Sequence, residues 1–172
     1  MIRRRLLPLA VLLALALAAT GCGGDDKSSS PSTAATQATS TSPNTTAYQT
    51  QVQTILTSVG TAGSTLGTAA QASSSSADIA TALEKFQASV KQAADELAKL
   101  TAPAKAQTGQ DELEQVLREI ADGVQPSIDA AKANDRAKFT ATFKAYQAKL
   151  DGAYRDRLTA AGAKIDKALA EQ

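Results

Sequence analysis

From Tyr48 onward, apolar and small residues recur in alternating steps of four and three: Tyr48, Val52, Ile55, Val59, Ala62, Leu66 and Ala69. On a helix of 3.6 residues per turn that spacing forms one stripe, and it predicts a first amphipathic helix over about 47–72. Its remaining positions are Thr, Ser and the glycines Gly60, Gly63 and Gly67, which are poor helix formers. This helix must lean on its neighbours and is expected to be the least stable. Its glycines would permit another helix to approach closely. Ser75 followed by Asp78 reads as a capping box, and a second stripe then runs Ile79, Leu83, Phe86, Val90, Ala93, Leu97 and Leu100, a helix over about 77–100. Lys91, Asp95 and Lys99 lie off this stripe at intervals of four and read as a solvated face.

The third stripe, Leu113, Leu117, Ile120, Val124, Ile128 and Ala131, gives a helix over about 103–133. Pro103 in a first turn and Thr108 as a cap compete for its start, and the earlier start is taken. Pro126 lies inside the stripe, so a kink is expected between Asp122 and Pro126. Asn134-Asp135 supplies a turn and the next cap. A fourth helix over about 136–170 carries Phe139, Phe143, Tyr146 and Leu150, then slips to Tyr154, Leu158, Ala161, Ile165 and Leu169. The slip around Gly152 is a stutter, with a break at Asp151-Gly152 as the alternative. Four amphipathic segments with short connections predict an all-α, antiparallel up-down-up-down four-helix bundle over 47–172. A three-helix bundle with a loosely packed first helix is the alternative.

Ahead of the bundle the patterning stops. Gly23 to Thr46 is Gly, Ser, Thr, Ala, Gln, Asp, Asn, Lys and Pro with no Leu, Ile, Val or aromatic residue, and it is expected to be a disordered tether. A chain of that length and composition spans about 25–30 Å on average. Before it, Arg3, Arg4 and Arg5 precede the uncharged run Leu6 to Ala19, too short for the ~20 residues of a spanning helix and suited to the core of an export signal over 1–21. Ala19, Thr20 and Gly21 then lead into Cys22, the one cysteine of the chain. By themselves these residues also fit an ordinary cleaved signal followed by a free thiol.

Leu17-Ala18-Ala19-Thr20-Gly21-Cys22 resembles the lipobox of bacterial lipoproteins. Ala19 stands where Leu is commoner. The resemblance covers the first 22 residues and implies that Cys22 is diacylated, becomes the first residue of the mature chain and holds the protein in the membrane on its extracytoplasmic face. A lone cysteine has no disulfide partner within the chain, and two or more acyl chains supply a stable anchor where one would be marginal. The abundance of alanine fits a GC-rich coding sequence such as that of a high-GC Gram-positive bacterium.

Composition narrows the remaining chemistry. The 18 basic and 17 acidic residues nearly balance, and no basic patch suited to nucleic acid is present. With no histidine, the Glu-x-x-His motif of di-iron bundles is excluded. The carboxylates of Asp111, Glu112 and Glu114, and of Glu119 and Asp122, are better explained by helix-end and ion-pair roles, such as Glu114 with Arg118, than by a metal. No Gly-x-Ser-x-Gly elbow, Ser-x-x-Lys box or P-loop occurs, so no catalytic residue, metal or cofactor is assigned. Two functions of different class follow. One is a tethered interaction or scaffolding module that meets an envelope protein through its surface. The other is a small-molecule sensing bundle with a pocket near the two kinks, where Tyr146, Tyr154, Arg155 and Arg157 are the candidate lining residues. The ordinary alternatives for these four are core packing and ion pairs such as Asp151 with Arg155.

Overall fold

The computed structural model describes residues 44–72 and 75–171. The six helices are α1 (Thr45–Ala72), α2 (Ser76–Ala98), α3 (Gln107–Gly123), α4 (Gln125–Lys132), α5 (Arg136–Lys149) and α6 (Arg155–Ala170), with one π-turn (Leu150–Tyr154) between α5 and α6. They form four antiparallel rods: α1, α2, α3 continued by α4, and α5 continued by α6. No strand is found among the described residues. The chain is an all-α helical bundle.

Local chemistry sets most of the boundaries. Asn44 caps α1 by accepting the N–H groups of Thr46 and Ala47 at 3.1 and 3.2 Å. Ser75 caps α2 as expected, accepting from the Asp78 N–H at 3.1 Å while its hydroxyl donates to the Asp78 carboxylate at 2.6 Å. Asn134 takes the left-handed conformation (φ 53°), which Asn tolerates better than most residues. Asp135 then caps α5 through the Lys138 N–H at 2.9 Å.

The start expected at Pro103 is not adopted. The Ala106 N–H donates to the Pro103 carbonyl at 2.7 Å, closing a tight turn, and α3 begins only at Gln107. Gln110 helps hold this connection: its amide donates to the carbonyls of Leu97 and Leu100 at 3.0 and 3.1 Å, satisfying the open end of α2. The expected kink in the third rod is a full break at Val124. Pro126, without an N–H, sits in the first turn of α4. In the fourth rod Gly152 leaves helical geometry (φ −113°, ψ −105°), and the π-turn around it absorbs the slip in the stripe.

The core follows the predicted stripes of α2 and α3, including Leu83, Val90, Leu97, Leu113 and Leu117, all essentially inaccessible to water. Packed seams join α1 to α2, α2 to α3 and α4, α3 to α6, and α4 to α5, and no comparable seam joins the first rod to the last among the described residues. The bundle is therefore open along one side. In consequence only Tyr48, Val52 and Ile55 of α1 are buried, while Val59, Ala62 and Leu66 are half-covered. The glycines of α1 serve no close approach within the chain, since a Cβ at Gly60, Gly63 or Gly67 would meet nothing within 4 Å. Close approach falls instead at Gly109, where α3 lies against Ala161 and Ile165 of α6.

Candidate functional site

The best-defined polar geometry lies where the third rod breaks. In an unbroken helix the Ile120 carbonyl would accept the Val124 N–H. Val124 instead turns that N–H to Asp122, whose own regular donor is missing because residue 126 is Pro. Three side chains from neighbouring rods reach the carbonyls around this break. The Tyr146 hydroxyl donates to Ile120 at 3.1 Å, the Tyr154 hydroxyl to Glu119 at 3.3 Å, and the Gln87 amide to Ala121 at 2.9 Å. Gly123 makes room for both rings, since a Cβ there would stand 3.1 Å from the Tyr154 hydroxyl and 3.3 Å from Tyr146.

The four candidate pocket residues thus divide. Tyr146 and Tyr154 are brought together at the break and are buried, with their hydroxyls committed to backbone carbonyls. Burial pushes the Tyr146 phenol well above its ordinary value, with the neighbouring Tyr154 adding to the shift. Arg157 forks onto the Glu119 carboxylate with both terminal nitrogens, and that pair lies half-exposed beside the tyrosines. Arg157 chiefly, with Gln115 assisting, holds the Glu119 carboxyl below its usual range against the opposing effect of desolvation. Arg155 is exposed. The space expected to open at the kinks is filled by the tyrosine rings themselves. Open grooves lie at one end of the domain instead, around Ser75 and Ser76: one runs beside Glu84 and Lys132, the other beside Ile79, Arg136 and Phe139.

The face read as solvated does more than meet water. Lys91 pairs with Asp122 at 3.3 Å, Asp95 with Arg118 at 3.1 Å, and Glu84 with Lys132, each linking α2 to the third rod. Glu119–Arg157 and Glu112–Lys164 link α3 to α6 in the same way. Residue numbers rise on one partner as they fall on the other, so the ladder reports antiparallel register. Glu114 takes Arg118 at 2.9 Å, and Asp111 accepts from the Gln107 amide at 2.8 Å. The carboxylates considered for a metal are therefore engaged with cations or amides. No group of three potential metal ligands converges among the described residues.

One site was missed from the sequence. The Tyr48 hydroxyl of α1 and the Oε1 atom of Gln110 on α3 are buried without a hydrogen-bond partner. Burial, reinforced by the Asp111 carboxylate, pushes the Tyr48 phenol up to about 12. The periodicity marked Tyr48 as core but could not show that its hydroxyl would be stranded there. A second signal lies in the sequence itself: from Ser28 to Ala77 the chain contains no Asp, Glu, Lys or Arg. No part of the ion-pair ladder can therefore reach α1.

Cys22 and the residues Ala19, Thr20 and Gly21 lie outside the described residues, as do the signal over 1–21 and nearly all of the tether. Among the described residues no helix is long and apolar enough to cross a membrane. What the geometry defines is a helical bundle whose interior polar groups serve mainly to join its rods. No protein-family model, curated protein or solved structure matches the chain.

Proposed function

We propose that this protein is a lipoprotein anchored by acylated Cys22 at the extracytoplasmic face of the cell membrane, carrying a non-catalytic helical domain that acts as an interaction or scaffolding module. The observation that carries the reading is the lone cysteine at the end of Leu17-Ala18-Ala19-Thr20-Gly21, behind a basic start and a short apolar run. The polar stretch that follows would hold the domain away from the bilayer.

The interaction role is favoured over small-molecule sensing by what the polar groups of the bundle already do. Tyr146 and Tyr154 stitch the break in the third rod, and Arg157 is paired with Glu119. The exposed surface of α1 is uncharged and offers threonine methyls and glycine backbone, a surface suited to contact with another macromolecule.

Detergent phase separation of cells making the full chain tests the anchor. The wild-type protein is expected in the detergent phase and Cys22→Ala in the aqueous phase or retained as precursor. If processed Cys22→Ala entered the detergent phase as fully as wild type, the lipid anchor would be ruled out.

A further inference from the structure

We propose that α1 is a strap: it opens from α2 as one cooperative unit while the α2–α6 part of the bundle stays folded. Opening bares the apolar stripe of α2 beneath it. The inference stands on the domain alone and holds whether or not Cys22 carries lipid.

Three independent observations converge on α1. The first is its attachment. The other three rods are joined across both shared seams by ion pairs such as Asp95–Arg118 and Glu119–Arg157. α1 contains no charged residue and so contributes to none of them. Its hydroxyls turn inward to its own backbone: those of Thr50, Thr54, Thr57 and Thr61 each donate to the carbonyl four residues before, at 2.8–3.0 Å. Side chains used in this way do not tie one helix to another.

The second observation is burial. Only three of the 28 residues in α1 are buried, and they lie in its first half. Its second half is rich in glycine and half-covered, with no seam to the last rod to close over it. Regions with few buried apolar contacts and poor intrinsic propensity populate the low-stability end of local unfolding.

The third is the stranded Tyr48 hydroxyl. It sits at the best-buried part of the α1 seam, 3% exposed and without a hydrogen-bond partner. A buried unsatisfied group opposes the closed state, and opening returns it to water. The residue that anchors the strap thus also loads it toward release.

Hydrogen exchange read by mass spectrometry on the full chain tests the proposal. Peptides from α1 are expected to exchange at least tenfold faster than those covering Leu83–Leu97 and Leu113–Ile120, in a single cooperative step. Tyr48→Phe keeps the ring and removes the stranded hydroxyl; it should slow α1 exchange about tenfold and leave α3 unchanged. Gly63→Ala adds a methyl into open space and should slow α1 alone by several-fold through helix propensity. Exchange of α1 together with α2 at one rate would overturn the strap. So would a Tyr48→Phe or Gly63→Ala effect that is absent or spread equally over α1, α2 and α3.

Discussion

Gly109→Ala gives the sharpest reading of how the rods are fitted. The added Cβ would stand 2.8 Å from Ile165 Cγ1, 3.1 Å from the Ala161 carbonyl oxygen and 3.1 Å from the Ile165 nitrogen. The Ile165 side chain can shift, but the other two atoms belong to the α6 backbone. α6 must therefore retreat by a few tenths of an ångström along a seam where Ala161 and Ile165 are fully packed. Overpacking of this kind destabilises by about 1–3 kcal/mol, and replacing Gly by Ala inside a helix returns about 1 kcal/mol. A net loss of up to ~2 kcal/mol is expected, equivalent to a fall in Tm of up to about 8 °C for a domain of this size. Thermal and urea unfolding followed by circular dichroism would read it. A Gly109→Ala protein more stable than wild type, as helix propensity alone would make it, would refute the close approach of α3 to α6. The same substitution at Gly60, where a Cβ meets nothing, serves as the control with the opposite sign for α1.

Two further expectations follow from the polar geometry. Tyr146→Phe strands the Ile120 carbonyl in a buried setting and should destabilise by about 1–3 kcal/mol in urea titration. Tyr154→Phe, which removes a longer bond from a less buried hydroxyl, should cost less. The pH dependence is set by carboxylates at one end and tyrosines at the other, because the chain has no histidine. Glu119, held below its usual range by Arg157, contributes stability that is full above the ordinary carboxylate values and fades as pH falls through them. Tyr48, pushed up to about 12, keeps its proton in the folded state, so stability should decline as pH rises from about 10, where the unfolded chain ionises, toward 12. Unfolding midpoints measured across the range should be nearly flat from about pH 5 to 9; a marked transition near pH 6–7 would contradict this assignment.

Much of the architecture was legible in the spacing of apolar residues. The stripes of α2 and α3 are buried nearly position for position, and Ser75, Asp78 and Asp135 announced their caps. Pro126 marked the break in the third rod, and Gly152 the slip in the fourth. Periodicity reports which face of a helix is apolar, though, and says nothing of how many neighbours that face will meet. Val59, Ala62 and Leu66 continue a sound stripe, yet they remain half-covered because no seam joins the first and last rods. Lys91 and Asp95 likewise looked solvated, since their partners Asp122 and Arg118 lie on another rod. The kinks suggested a pocket because a break separates backbone from backbone. Here the rings of Tyr146 and Tyr154 lie against the break, with their hydroxyls bonded to the Ile120 and Glu119 carbonyls beside it.

The central claim is that this bundle hangs from a lipid on Cys22. Its most direct test is the intact mass and terminal fragment spectrum of the protein extracted from its own membrane. The expected chain begins at Cys22 and carries the added mass of a diacylglyceryl group on sulfur. A membrane-extracted chain that retains Met1, or begins elsewhere and keeps Cys22 as an unmodified thiol, would contradict it.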